Sequence, residues 1–346
     1  MQIKKMNIFI FILLIIFTLF GCSPITSISG IYYVDSFGLD YSDNKYTVYL
    51  HISNPTTLIT QEQGSENVEV KYSTCRSKGD TIFKAMSNIM KYTNLTINLA
   101  LIESMILSRN FISNENIKHL YDYLKSTPKI FPTFNIYYTD ESLDDIFSLS
   151  NPKSVSPFYS LIGENLTEPL LPEKNYARFI SEFFEDKLTL SIPIIKLDNE
   201  IWKDENEKII SLSIDGVCAM NKESNTVATA NLKDYPGLIF LFKEQIEEQS
   251  IEINKKIIQF EYYNIKLKHN DNNIIISINT IASIVNSHDD KGALSKEIQK
   301  YIEHELIKVI NYFNTFNIDI INLKDYIYRY NINELTNIDF NINVSI

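Results

Sequence analysis

Gly79-Asp80-Thr81-Ile82-Phe83-Lys84-Ala85-Met86-Ser87-Asn88-Ile89 is where the hydrophobic period of the chain changes, and the change selects the fold class. Ile82, Ala85, Met86 and Ile89 recur at the three- and four-residue intervals that share one face of an α-helix, behind a Gly-Asp-Thr start signal. Upstream the period is two. Segments Ile31 to Asp40 and Lys45 to Ser53 flank Ser42-Asp43-Asn44, and Tyr46, Val48 and Leu50 alternate with Thr47, Tyr49 and His51, which predicts a hairpin. The polar stretch Pro55 to Ser77 is expected to be a loop with a short strand around Val68 to Tyr72. Downstream come a strand at Ser104 to Ser108 and a helix from Ser113 to about Ser126 with Ile117, Leu120, Tyr121 and Leu124 inward. Thr133 to Tyr138 reads as the next strand and Ser142 to Leu149 as a short helix. Strand, helix, strand, helix is the order of a mixed α/β region rather than a β sandwich.

Asn151 to Pro172 is rich in Pro and Ser and is expected to be a loop or lid. A helix is predicted over Glu173 to Asp186 with Tyr176, Ala177, Ile180, Phe183 and Phe184 inward, since proline suits a helix start. Leu197 to Glu207, with the single Trp202, reads as a charged connector. Strands follow at Lys208 to Met220, Val227 to Asn231, Ile257 to Leu267 and Asn273 to Ile284, with a turn signal at Asn270 to Asn273. A long helix from about Gly292 to Phe316 carries Leu294, Ile298, Tyr301, Ile302, Val309, Ile310 and Phe313 as its stripe, and a last alternating strand spans Ile338 to Ile346. The expected fold is α+β or mixed α/β in successive sheet-plus-helix domains. An N-terminal region, 31–200, precedes a C-terminal domain, 201–346, whose sheet is covered by one long helix.

Composition bounds the function. In 346 residues, 45% hydrophobic content supplies one large core or two ordinary ones, which excludes disorder. Nine glycines and a formal charge of −11 speak against phosphate-cradling loops and nucleic-acid binding. Three cysteines make no disulfide framework.

The first 22 residues have their own logic. Lys4 and Lys5 precede an apolar run from Ile8 to Phe20, shorter than the ~20 residues a spanning helix needs. A cleavable signal over 1–21 fits this pattern, with a tether at 22–30. Leu19-Phe20-Gly21-Cys22 resembles a bacterial lipobox, in which a small residue admits the peptidase and the thiol of Cys22 takes the lipid. A plain secretory signal is the other reading. Acyl chains contribute roughly 0.8 kcal/mol per buried CH₂, so lipidation anchors a body without a transmembrane helix. Cleavage would also remove two positive charges from a chain already acidic.

No nucleophile elbow, phosphate loop or metal-type spacing of His or Cys occurs, and His51, His119, His269, His288 and His304 are scattered. His288-Asp289-Asp290 reads as a solvated turn before a weak cation site, and Glu303-His304-Glu305 as the outer face of the long helix. The 21 tyrosines read as core and sheet surface. Cys75 and Cys218, in what read as different domains, are expected to be isolated thiols, although a disulfide outside the cytoplasm is possible. No residue is assigned a catalytic role, and no cofactor or metal is expected.

The order of these elements behind the lipobox resembles the Ger(x)C family, the C-subunit lipoproteins of spore germinant receptors. The residues that carry it are Phe37-Gly38-Leu39-Asp40-Tyr41 leading into Tyr46-Thr47-Val48, then Gly79 to Ala85, Glu103 to Ser108 and Ile117 to Leu124. In the second half they are Ile214-Asp215-Gly216-Val217-Cys218-Ala219-Met220, Gly237-Leu238-Ile239-Phe240-Leu241 and Asn317-Ile318-Asp319-Ile320. Ser23-Pro24 stands where the family commonly has Trp-Asp. The resemblance implies a non-enzymatic subunit lipidated at Cys22 on the outer face of the spore inner membrane. It would act with two integral-membrane partners, one transporter-like, in the response to nutrients. The alternative from another class is an extracytoplasmic solute-binding lipoprotein of a transporter, binding its ligand between two lobes. A cell-wall hydrolase is disfavoured by the lack of convergent catalytic groups.

Overall fold

The computed structural model describes residues 31–53, 72–93, 96–127, 130–149, 156–158, 171, 174–204, 207–242, 249–253, 256–270, 273–284, 291–332 and 337–346. β1 (Ile31–Ser42) and β2 (Lys45–Ser53) form the expected hairpin, and Asp43 and Asn44, both at positive φ, make its two-residue turn. β3 (Tyr72–Gly79) pairs with β2 and is an edge strand. It lies beyond the strand expected around Val68 to Tyr72, of which only Tyr72 is among the described residues. Its alternation is faint in the sequence because Ser73, Thr74, Arg76 and Lys78 are polar and solvent-facing.

The helix that decides the fold, α1 (Ile82–Met90), buries Ile82, Ala85, Met86 and Ile89. Thr81 caps it, its hydroxyl oxygen accepting from the Lys84 amide at 3.0 Å. β4 (Thr96–Asn98) and β5 (Ser104–Ser108) both run parallel to β1, and β6 (Asn135–Thr139) continues beside β5. α2 (Asn114–Lys125) covers the same sheet face as α1; Tyr123 is the inward aromatic and Tyr121 sits at the margin, because the helix turns Asn116 inward as well. The short α3 (Leu143–Phe147) covers the opposite face, where its Phe147 ring lies against Gly38 so closely that a Cβ there would come to 2.6 Å. Both faces of the sheet are thereby buried, which is why Tyr46 and Leu50 on one face and Tyr49 and His51 on the other are all inaccessible.

α4 (Tyr176–Phe184) is rotated from expectation: Tyr176, Phe179, Glu182 and Phe183 are buried, Ile180 is half-buried, and Ala177 and Phe184 are exposed. Proline-flanked periodicity placed the helix correctly, but Glu182 could not be read as an inward residue without its partner. Of the loop expected at 151–172, residues 156–158 and 171 are described, and Phe158 packs with Phe147.

The expected connector at 197–207 is instead the far part of a long antiparallel hairpin, β7 (Leu190–Asp204) with β8 (Glu207–Asn221), joined by β9 (Thr226–Asn231). These strands extend the first sheet, in the order β3-β2-β1-β5-β6-β7-β8-β9, straight through position 201. Cys75 and Cys218 accordingly belong to one sheet, and both are free thiols.

α5 (Gly237–Phe242), not anticipated as a helix, leads to the second sheet, β10 (Gln249–Ile253), β11 (Lys256–Asn270), β12 (Asn273–Ile284) and β13 (Asn337–Ser345). β13 runs parallel to β12 along its outer edge. The long helix α6 (Lys291–Asn314) serves both sheets. Leu294, Ile298, Ile302 and Leu306 cover the second, while Val309 and Phe313 pack with Val217, Ala219, Ala228 and Ala230 of the first. A short α7 (Leu323–Arg329) follows. Among the described residues no helix is long and apolar enough to cross a membrane.

Candidate functional site

Where the two sheets approach each other, a cleft of about 400 Å³ opens. Its floor is made by α4 and the start of β7, and its walls by α5, β11, β12 and the residues just before α7. Ile192, Pro193, Val217, Ile265, Leu267 and Ile276 line it together with Ser191, Asn264 and Asn322, so the walls are aliphatic and polar in about equal measure.

Charge is concentrated on one side. The Lys174 ammonium donates to the Glu182 carboxylate and, at 3.3 Å, to the Ser191 hydroxyl. Glu182 Oε1 also accepts from Arg178 Nε at 3.2 Å, an i,i+4 pair on α4. Lys174 and Glu182 are buried, whereas the Arg178 side chain is 61% exposed. Burial pulls the Lys174 pKa down, against the opposing pull of Glu182. Lys266 and Asn322 approach from the other side. Three cations face one carboxylate in a protein whose net charge is negative. An ammonium has three donors and two of Lys174's are spent within this cluster. The cluster pairs internally around Glu182, in a cleft whose volume falls in the range of small-molecule sites.

A second polar cluster lies inside the first sheet. His51 Nδ1 is 2.7 Å from Asp35 Oδ1, and the ring is held between Tyr72, stacked at 4.9 Å, and the edge of Phe158 at 4.9 Å. Its Nε2 is buried and has no hydrogen-bond partner among the described residues. An aspartate-oriented imidazole is half of a nucleophile-activating relay, but no described hydroxyl or thiol stands at Nε2 to complete it.

The residues singled out from sequence are dispersed. Cys22 and His288-Asp289-Asp290 lie outside the described residues. Glu303 and His304 are exposed on α6, but Glu305 points inward and is buried, with Oε2 lacking a hydrogen-bond partner and 3.9 Å from Lys308 Nζ. The expected outer face is thus corrected at its third residue, because Glu305 lies one position before Leu306 on the stripe. His119 is exposed with Nδ1 2.5 Å from the Tyr46 hydroxyl, and His269 meets Tyr326 at 3.1 Å. No group of three or more His, Cys, Asp or Glu side chains converges on a metal position among the described residues. Lys174, Arg178 and Glu182 carry no motif; the signals for them are the Arg178–Glu182 spacing and a carboxylate on the apolar face of α4.

The chain is similar to two family models and to one solved structure. A family model described as the spore germination protein N-terminal domain matches residues 26–197. A second, described as spore germination B3/GerAC-like, C-terminal, matches residues 215–346. No curated protein matches. The crystal structure of the GerBC protein aligns over 88% of this chain and 96% of that chain, with TM-score 0.49 and 15% identity.

Proposed function

The chain belongs to the GerAC-like family of germinant-receptor C subunits, and from that membership we propose that it is a lipid-anchored, non-catalytic subunit that triggers spore germination together with integral-membrane subunits. The observation that carries this reading is the succession of the two family domains over residues 26–197 and 215–346. Lipidation at Cys22 would place the protein on the extracytoplasmic side of the membrane, in spores on the outer face of the inner membrane, held by acyl chains rather than by charge. Coupling to two membrane partners would then proceed through protein contacts. This agrees with polar clusters that pair internally, Lys174 with Glu182 and Asp35 with His51.

Deletion of the coding sequence in a strain without other copies of the family tests the proposal. Growth and nutrient uptake are expected to be normal, while spores no longer respond to a nutrient. Spores that germinate normally with every nutrient would refute the role. Lost uptake together with nutrient binding by the purified chain would establish the solute-binding alternative instead. A Cys22→Ala copy should fail to incorporate labelled palmitate and should leave the membrane fraction.

A further inference from the structure

One end of the first sheet, where β1 begins, carries a set of exposed apolar side chains. β1 starts at Ile31, paired with Thr96 of β4, and the parallel strands β5 and β6 start toward the same end, Ser104 beside Asn135. α1 begins next to Gly79, which pairs with Tyr46 near the β1–β2 turn, and runs back along the sheet. It therefore releases Met90 and Tyr92 at the Ile31 end, a few residues before β4. There Met90 is 49% exposed and Tyr92 93%. Leu101, between β4 and β5, is 56% exposed, and Phe131, just ahead of β6, is 64% exposed. Exposed Lys91 and Lys125 stand at the carboxyl ends of α1 and α2.

A lone surface apolar residue needs no explanation, but several gathered where a chain enters its fold do. We propose that this end of the first sheet rests in the interfacial layer of a lipid bilayer, with Tyr92 and Phe131 as its aromatic anchors. The inference rests on lipid attachment at Cys22. Covalent geometry then decides which end of the sheet faces the lipid. Residues 22–30 extend at most ~3.3–3.6 Å each, about 30 Å in all. The twelve residues of β1, at about 3.3 Å each, span about 40 Å. A tether that short cannot bring the β1–β2 turn, or Phe83 at the start of α1, down to the bilayer with the sheet upright. It can bring the Ile31 end there.

The chemistry of that end suits headgroups. Aromatic side chains settle at the membrane–water boundary, and lysine stems lie along apolar surface while their ammonium groups reach phosphate. In an acidic chain the contact is carried by apolar area rather than by net charge, so raising salt should not release it.

The test uses the lipidated full chain, made with its signal and reconstituted into phosphatidylcholine–phosphatidylglycerol vesicles. In a Cys75→Ser background, Tyr92→Cys, Phe131→Cys and Phe83→Cys variants carry a polarity-sensitive fluorophore, and a quencher is placed on the lipid near the headgroup. All three positions are exposed, so the substitutions leave the core intact. Labels at 92 and 131 should shift to the blue and lose most of their intensity to the lipid quencher, while the label at 83 keeps its intensity. A chain that floats with the vesicles but shows no quenching at 92 and 131, or equal quenching at 83, overturns this proposal and leaves the anchor standing. A chain that fails to float overturns both. A label at 92 shielded in native membranes but unquenched by lipid assigns the patch to a protein neighbour, which also overturns it.

Discussion

Replacing Glu182 with leucine would leave the Lys174 ammonium buried without its counter-charge. The two side chains are 8% and 9% exposed, so solvent screens the pair little. Breaking a buried pair from one side costs about 3–5 kcal/mol, because the remaining ion keeps its desolvation penalty and loses its partner. The lower figure applies here, since Ser191 still accepts from Lys174 at 3.3 Å. The lost Arg178 contact adds little, because exposed pairs contribute about 0.2–1 kcal/mol. A Lys174→Met/Glu182→Leu double variant should recover most of the loss, as an apolar pair fills the space without stranding a charge. The deficit should also depend on pH. Burial already lowers the Lys174 pKa in the folded protein, and removing the carboxylate deepens that lowering. Between the lowered value and the unfolded value, about 10.4, the unfolded chain holds a proton that the folded chain lacks, so stability rises with pH. The deficit of Glu182→Leu should be larger at the lower pH and shrink as pH climbs through the lowered folded-state values of Lys174, first the variant's and then the parent's. Urea unfolding at neutral pH and at about pH 9.5, read as midpoint shifts at constant slope, measures it. A variant as stable as the parent at neutral pH, a deficit insensitive to pH, or a double variant no better than the single one would refute the reasoning.

Gly237 opens α5 against α6, and a Cβ there would meet the Glu305 carbonyl oxygen at 2.4 Å; Gly237→Val should therefore lose about 1–3 kcal/mol in thermal unfolding. An unchanged midpoint would show that the two helices are not held at this distance. Thr81→Ala removes the cap of α1 and should cost about 1 kcal/mol, with Thr81→Ser restoring most of it in the same measurement. Burial pushes the Cys75 thiol up to about 11 and raises Cys218 as well. Alkylation near pH 8 should be slow at Cys75 and require denaturant at Cys218, because the thiolate is the reactive species; rapid labelling of either in the native protein would contradict their burial.

Elements with one strong local signal were legible from sequence. Ser104–Ser108 is a continuous apolar strand bounded by serines, and α1 announces itself through a cap and four spaced apolar residues. The failures arise where the signal is relational. Trp202 and its charged neighbours read as a connector because the second half of β7 carries polar residues that only a partner strand explains, and that partner, β8, supplies the register Trp202 to Ile209. The continuous stripe of α6 predicts the cover of one sheet; nothing in the spacing shows that Leu306 and Val309, three residues apart, serve different cores.

The same distinction separates what was legible about function from what was not. A lipobox is read by enzymes as a linear motif, so its information lies in four consecutive residues, Leu19 to Cys22. The cleft between the sheets draws its charges from residues 174–182 and 266 and its walls from as far as 322. Lys174 has no motif around it, and its burial follows only from β7 passing beneath α4, where Ser191 takes one of its donors. Glu182 falls on the helix face occupied by Tyr176, Phe179 and Phe183, so a periodicity that admits only apolar residues rotates the helix away from it. A charged residue on an apolar stripe is therefore the sequence trace that such a site leaves, and Glu305 on α6 leaves the same trace, buried beside Leu306. In this fold both carboxylates lie on helices packed against the first sheet, Glu182 on α4 and Glu305 on α6, where a substitution would be felt through packing before any ligand or partner is reached.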